Sequence, residues 1–265
     1  MELPLSAAAV DHLEILPEAG STNDELVARA GGLGDFAVVV TGSQTAGRGR
    51  LGRVWVAPPG ASLAISVLLR PVLPGGQPLE LRHFGWLPLI AGVAMTRTVQ
   101  AMLPERNVGL KWPNDVQVDG LKISGLLAEL LPAGDAVVMG AGLNLSLTRE
   151  QLPTPVSTSL DLSGATLSGD ELADAALSRY LLELRELYTG FVRLGADPVG
   201  SGVAQQLTEL CTTIGRQVKV ELPGVADLVG TAVGIDGSGR LQVRGSLDGL
   251  VTAVAAGDVT HLRYE

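Results

Sequence analysis

A chain of 265 residues suits one large domain, or one medium and one small domain. Hydrophobic residues make up 46% and mean hydropathy is positive, so a sizeable core can form; aromatics at 3% make that core aliphatic. The formal net charge of −9 excludes a general nucleic-acid binder, which needs a basic footprint, and the lone Cys211 excludes an intrachain disulfide and agrees with a reducing compartment.

The N-terminus, MELPLSAAAVDHLE, has no basic leader and too short an apolar stretch for a signal peptide. The longest uncharged run, Val54 to Leu69, is interrupted by Pro58-Pro59-Gly60 and falls short of the roughly 18 apolar residues of a membrane span. A soluble cytoplasmic protein is expected.

His12 to Leu16 reads as a short strand. A helix follows, with Thr22 and Glu25 spaced as a capping box. Phe36 to Thr41 is a buried strand, and Gly42 to Arg53 a polar, glycine-rich loop. Ser62 to Leu69 is apolar enough for a central strand, and Phe84 to Met102 is helical in pattern. Ala136 to Gly142 is another apolar strand. Thr148 to Gly169, rich in Pro, Ser, Thr and Gly, reads as a long loop. Ser168 and Glu171 have capping-box spacing ahead of Leu177, Tyr180, Leu181, Leu184 and Tyr188, which mark the buried stripe of an amphipathic helix. A second helix covers Gly202 to Leu210. After Gly215, short strand-like runs alternate with turns at Pro223-Gly224, Asp236 to Gly239 and Asp248-Gly249, the pattern of a small β-barrel or sandwich. The expected division is residues 1–213 and 214–265.

Between Lys111 and Leu130 lies KWPNDVQVDGLKISGLLAEL. Asp119-Gly120 is a type I′ hairpin signal, because both central residues need positive φ. A two-residue turn would pair Val118 with Leu121, Gln117 with Lys122 and Val116 with Ile123, and directly paired residues share a face. The apolar pairs mark the core. Gln117 and Lys122 share the other face, with Asp115 and Ser124 two residues further along. A cation held on a stiff hairpin beside polar groups suits chemistry on an anion; a merely solvated lysine is the competing account.

The loop QTAGRGRLGR, Gln44 to Arg53, carries three arginines and no acid. Gly47, Gly49 and Gly52 let backbone N–H groups approach a ligand, and Arg48, Arg50 and Arg53 can each grip a phosphate or carboxylate with two parallel hydrogen bonds. The spacing is neither a Walker loop nor a dinucleotide fingerprint. Mutual repulsion of bare arginines favours an anionic ligand over a solvated loop.

Taken in order, GSTND (Gly20–Asp24), QTAGRGRLGR, KWPND (Lys111–Asp115), LKISGLLAE (Leu121–Glu129) and GAGLNL (Gly140–Leu145) resemble the biotin protein ligases. The resemblance implies an α+β fold. It has a mixed β-sheet with flanking helices, like the class II aminoacyl-tRNA synthetases and biotinyl-lipoyl ligases, and a small C-terminal SH3-like barrel. It also implies ATP-dependent activation of biotin to biotinoyl-5′-AMP and transfer to a lysine of a biotin carboxyl carrier domain of an acetyl- or acyl-CoA carboxylase. On that reading Ser21, Thr22, Asn23, Gln44, Gly47, Arg48, Gly49, Arg50, Lys122 and Gly125 bind biotin. Arg48, Arg50, Arg53, Trp55, Lys111, Asn114, Lys122, Asn144 and Ser159 serve ATP and the adenylate. Lys122, Arg50 and Asp115 are the catalytic set. Lys122 meets the carboxylate and bridging phosphate oxygens, and Asp115 orients or deprotonates the incoming lysine, or else only closes its turn. Trp55 stacks on adenine or packs beside Pro58. Ser21 and Thr22 also qualify as helix caps.

Mg²⁺ is expected on the ATP phosphates rather than in a protein cage. His12, His83 and His261 match none of the motifs. The first motif begins near residue 20, so no DNA-binding domain and no DNA partner are expected; the resemblance is compatible with a monomer or a homodimer. Two rivals remain: a lipoate or octanoate ligase, whose usual Arg-Arg-x-Ser-Gly-Gly-Gly loop differs from GRGRLG here, and a non-catalytic module that binds biotin or a carrier domain.

Overall fold

The structure is a computed structural model that describes residues 1–221, 227–255 and 258–261. In chain order the larger part comprises α1 (Pro4–Ala9), β1 (Leu13–Leu16), α2 (Thr22–Arg29), β2 (Val38–Thr41), β3 (Gly47–Arg48), β4 (Val54–Trp55), β5 (Ser62–Leu69), α3 (Trp86–Met102), β6 (Val108–Lys111), β7 (Asp115–Val118), β8 (Leu121–Leu130), β9 (Val137–Asn144), α4 (Leu160–Ser163), α5 (Gly169–Arg193) and α6 (Val203–Leu210). The smaller part comprises β10 (Gln217–Glu221), β11 (Leu228–Ile235), β12 (Leu241–Gly245), β13 (Val251–Val254) and β14 (Asp258–His261).

Seven strands form one sheet in the order β1-β2-β5-β9-β8-β7-β6. β1 runs parallel to β2, and every other pair is antiparallel. The expected mixed sheet with flanking helices is therefore present. Side chains alternate between its faces with period two. On one face Leu63, Ile65, Val67 and Leu69 of β5 and Val137, Met139, Ala141 and Leu143 of β9 enter the main core with α3 and α5. The α5 stripe predicted from the sequence, Leu177 through Tyr188, is buried there. On the other face a smaller cluster of Leu26, Val39, Leu68 and Val138 seats α2. Beyond that cluster Ala64, Ser66, Gly125, Gly140 and Gly142 leave the same face largely bare, and the cleft opens over them.

Several local expectations change. The N-cap of α2 is Ser21, whose hydroxyl accepts from Asp24 N, so Thr22 is the first helical residue and the Thr22–Glu25 capping box is not formed. Ser168 precedes α5 as expected but makes no side-chain cap bond. α1, which no sequence signal marked, is held by a partner far along the chain. Buried Asp174 on α5 accepts from Leu5 N and Ser6 N at 2.8 Å each, and from Ser6 Oγ at 2.7 Å. The arginine loop carries β3, which pairs with β4 immediately after the loop to form a small hairpin.

The Asp119-Gly120 turn has the expected positive φ values, 51° and 83°. The register past it differs. Gln117 pairs with Lys122, but Val116 pairs with Ser124 and Asp115 with Gly125. One extra residue in β8 makes a bulge, which reverses the alternation beyond it. Ser124 therefore shares the core face of Val116 and is fully buried, and Gly125 takes the place on the cleft face expected for Ser124.

The five C-terminal strands form a second antiparallel sheet, β13-β12-β11-β10-β14. The expected Pro223-Gly224 turn lies outside the described residues. This sheet shares its core with the larger part: Val218, Val220, Ala232, Leu241 and Val243 belong to the main buried cluster. The Asp236–Arg240 turn is the docking point. Trp86 Nε1 donates to Gly237 O at 2.9 Å, and Trp112 Nε1 to Gly239 O at 3.3 Å. Cys211 is buried beside the junction and burial raises its thiol pKa, the setting of a packed rather than a reactive cysteine.

The docking turn is built on Asp236. Its carboxylate accepts from Ser238 N, Arg240 N and Arg240 Nε at 2.9, 3.0 and 2.7 Å. Burial alone would raise the pKa of this group; the two N–H groups and the Arg240 guanidinium together hold it below the usual carboxylate value. A depressed folded-state pKa stabilises the fold above the unfolded value, near pH 4, and that contribution is lost as pH falls through the folded value. Asp236→Asn is therefore expected to lower the urea midpoint at pH 7 and to converge with the parent chain in strong acid; an equal deficit at both pH values would contradict this.

Candidate active site

The floor of the cleft is a patch of sheet with almost no side chains. Ala64 pairs with Gly142 and Ser66 with Gly140 across β5 and β9, while Gly125 and Leu127 flank the same glycines from β8. Two side chains rest on this floor. A Cβ on Gly142 would lie 2.5–2.9 Å from the Trp55 indole, and one on Gly140 would collide with the Asn23 carboxamide. The motif GAGLN thus places two absent side chains on the wet face and Ala141 and Leu143 in the core.

Trp55 lies in the middle of the cleft, reached from the β3–β4 hairpin. Lys122 Nζ is 5.8 Å from its ring centroid, within cation–π range. Trp55 Nε1 is buried with no hydrogen-bond partner among the described residues, so the indole brings a spare donor to the floor.

At one end of the cleft the KWPND turn and β8 hold a fixed cation. Lys122 Nζ is 2.6 Å from Asp115 Oδ1, and both groups are less than one-third exposed. The Lys122 backbone is clamped as well: its N–H donates to Val156 O and its C=O accepts from Thr158 N, both at 2.8 Å. Asn144 Nδ2 secures that segment by donating to Thr158 O at 2.8 Å. Asn114 is pinned to β8, donating through Nδ2 to Leu126 O at 3.0 Å, and its Oδ1 accepts from Arg50 Nη1 at 3.2 Å. Lys111, from the end of β6, lines the same end.

At the other end the start of α2 supplies amide and hydroxyl groups. Gln44 Oε1 accepts from Thr22 N at 2.9 Å, which leaves the Gln44 amide N–H groups to the cleft. Ser66 Oγ donates to Asn23 Oδ1 at 2.6 Å and lies 2.8 Å from Thr22 Oγ1. Asn23 Nδ2 donates to Glu129 Oε1 at 2.7 Å. Asn23 is therefore fixed by the protein through both ends of its amide. Gly47, just outside the wall, must lack a side chain, because a Cβ there would strike the Gln44 side chain and Trp55 O.

The arginine loop crosses between these ends. The loop itself has no acid, but the fold brings two to it. Arg48 Nη2 is paired with Asp24 on α2 and with Glu129 on β8, the latter at 3.0 Å. The premise of bare, mutually repelling arginines therefore fails for Arg48. With Arg48 tied at one end and Arg50 bonded to Asn114 at the other, the loop spans the cleft as a strap.

The cleft encloses about 420 Å³, within the usual range for a small-molecule site. Five cations line it, Arg48, Arg50, Arg53, Lys111 and Lys122, against a single carboxylate, Asp115. In a chain of net charge −9 this concentration of positive charge marks a site for anions. Of the residues expected from the sequence, Ser159 is not brought to the wall. It is fully buried as the N-cap of α4, accepting from Leu162 N and donating to Leu147 O at 2.8 Å; Thr154 and Ser157 line the cleft instead. Ser66 carries no motif signal in the sequence, and Asp24, Glu129, Gly140 and Gly142 are marked there only by their places in the motifs.

A mixed sheet of this order, with its cationic cleft and appended β-sheet, is the architecture of the biotin and lipoate ligase class. A model of the biotin/lipoate A/B protein ligase family matches residues 23–144, and one of the biotin protein ligase C-terminal domain matches residues 213–262. The biotin--[acetyl-CoA-carboxylase] ligase of Mycobacterium tuberculosis is 38% identical, over 95% of this chain and 89% of that relative. The bifunctional ligase/repressor BirA of Escherichia coli is 32% identical, over 93% of this chain and 73% of that relative. The biotin protein ligase from Aquifex aeolicus, solved in complex with biotin and ATP, is 25% identical with a TM-score of 0.71, over 96% of this chain and all of that one. The chain belongs to the biotin protein ligase family and is a ligase.

The floor makes a direct prediction. Gly142→Ala should expel the Trp55 ring and red-shift tryptophan emission, since Trp86 and Trp112 are buried elsewhere and do not move. An unchanged spectrum would show that the ring is not seated on Gly142.

Proposed function

We propose that the cleft joins biotin and ATP to give biotinoyl-5′-AMP and pyrophosphate, and then passes the biotinoyl group to one lysine of a biotin carboxyl carrier domain of an acetyl- or acyl-CoA carboxylase. The observation that carries this reading is the fixed Lys122–Asp115 pair facing the arginine strap across the cleft. The printed functions of the Mycobacterium relative and the ligands of the Aquifex structure supply the substrates.

The first step brings two anions together. A biotin carboxylate oxygen forms a bond to the α-phosphorus, the bond from that phosphorus to the bridging oxygen breaks, and pyrophosphate leaves with both electrons. Lys122 and Arg50 offset the charge that accumulates, and because they are held before the ligand arrives they need little reorganisation. In the second step the carrier lysine nitrogen bonds to the acyl carbon, AMP leaves, and the amine loses a proton. Asp115 receives or orients that lysine. The Gln44 amide donors and the Ser21–Thr22 turn read the ureido ring, and the Trp55 indole faces the adenylate. Positioning supplies much of the acceleration. The strap also shields the mixed anhydride from water.

ATP chemistry of this kind implies Mg²⁺. Among the described residues no group of three His, Cys, Asp or Glu side chains converges on one point, and Asp115 is engaged by Lys122. The ion is proposed to ride on the ATP phosphates with water.

Biotin-dependent exchange of pyrophosphate into ATP tests the reading. The protein is expected to support exchange with biotin, and Lys122→Ala to lower it about a hundredfold or more. Exchange with lipoate in place of biotin would assign the cleft to the lipoate ligases, and absence of exchange with either would mark a binding module. Arg50→Gly, which removes one anchor of the strap, should increase biotin transfer to bystander lysines; unchanged selectivity would overturn the shielding role.

A further inference from the structure

Glu129 is a charged residue on the cleft side of the sheet that does not itself line the cleft. Past the bulge, β8 presents Gly125, Leu127 and Glu129 in succession to that side, and Glu129 pairs with Val138 of β9. Its carboxylate is about one-third exposed and binds two elements at once. Oε1 accepts from Asn23 Nδ2 at 2.7 Å and from Arg48 Nη2 at 3.0 Å, and Oε2 lies 3.1 Å from the same Arg48 nitrogen. Arg48 in turn pairs with Asp24, the neighbour of Asn23 in α2. One carboxylate therefore ties the first turn of α2 and one end of the arginine strap to the rigid sheet.

The orientation of Asn23 depends on this contact. A carboxamide has two rotamers of similar shape but opposite polarity. Ser66 Oγ approaches Asn23 Oδ1 and the Glu129 carboxylate approaches Asn23 Nδ2, and only one rotamer satisfies both. The remaining contact of Nδ2, with Leu127 O, is long at 3.4 Å. Gly140 leaves the room beneath the amide. Without Glu129 the NH₂ group loses its charged acceptor, Arg48 keeps only Asp24, and the end of the cleft formed by Thr22, Asn23 and Gln44 is free to rearrange. The other end, with Lys122, Asp115, Asn114 and Arg50, shares none of these contacts.

We propose that Glu129 is a positioning residue for acid-substrate recognition: through Asn23 it sets the polar end of the cleft that reads the biotin head, while Asp24 continues to hold Arg48 and the nucleotide end is unaffected. This inference rests on the biotin-activating reading of the cleft. The test is steady-state pyrophosphate exchange by the full chain, with biotin and ATP varied separately. Glu129→Ala is expected to raise the KM for biotin about tenfold or more, the usual scale for losing a charge-assisted hydrogen bond, with kcat and the KM for ATP within about twofold of the parent. Glu129→Gln keeps an acceptor for Asn23 and should recover most of the loss. Asn23→Ala combined with Glu129→Ala should be no worse than Asn23→Ala alone, because the two act through one contact.

A biotin KM unchanged in Glu129→Ala would overturn the proposal. So would a parallel rise in both KM values with a lowered melting temperature, which is the signature of a residue that only holds the fold together. Failure of Glu129→Gln to recover would overturn the route through Asn23. If the parent chain itself shows no biotin-dependent exchange, it is the biotin-activating reading that fails, not the role of Glu129.

Discussion

The cleft depends on a patch of β-sheet from which side chains are absent. Gly125, Gly140 and Gly142, with Ala64 and Ser66, leave the backbone of three adjacent strands bare on one face. Three side chains of the cleft stand one layer above that floor: Trp55 on Gly142, the Asn23 amide on Gly140, and Lys122 over both Trp55 and Gly125. A methyl group at either β9 glycine would lift a whole functional group. The opposite face of the same strands is close-packed aliphatic core, so the floor is flat and stiff as well as bare. Groups placed on such a base hold their geometry before a ligand binds.

The charges follow the same logic. Five cations gathered in one cleft would repel one another, and acids restrain Lys122 and Arg48 among them. Asp115 holds Lys122 from the next strand, while Asp24 and Glu129 hold Arg48. These partners cost part of the positive field but fix where it points. For the proposed reaction, which would bring a carboxylate onto a phosphate, fixed orientation is worth more than raw charge. The C-terminal sheet extends the same frame. Its Asp236 turn binds Trp112, which directly precedes the Pro113–Asn114–Asp115 turn, so the second part of the chain buttresses the first behind the Lys122–Asp115 end of the cleft.

Much of this was legible in the sequence because it is local. The Asp119-Gly120 turn, the central strands and the buried α5 stripe rest on period-two and period-3.6 patterns, and five motifs in order pointed to the family. What escaped depends on partners remote in the chain. The bulge at Ile123-Ser124 leaves no mark in a two-residue alternation, yet it decides that Gly125 rather than Ser124 faces the ligand. Arg48 looked bare because its acids lie 24 and 81 residues away. Ser159 looked like a loop contact, but pairing of the preceding segment with the Lys122 backbone turns that hydroxyl inward and offers Ser157 instead. The helix start shifted by a single residue, from Thr22 to Ser21, because serine and threonine are adjacent there and either qualifies as a cap.

The proposed chemistry requires this cleft to make and hold a mixed anhydride before any carrier protein arrives. Native mass spectrometry of the chain incubated with biotin, ATP and Mg²⁺, without an acceptor, tests it most directly. A stoichiometric complex with biotinoyl-AMP is expected in the parent chain and none in Lys122→Ala. Separate binding of biotin and ATP with no adenylate formed, or an adenylate equally abundant in Lys122→Ala, would contradict it.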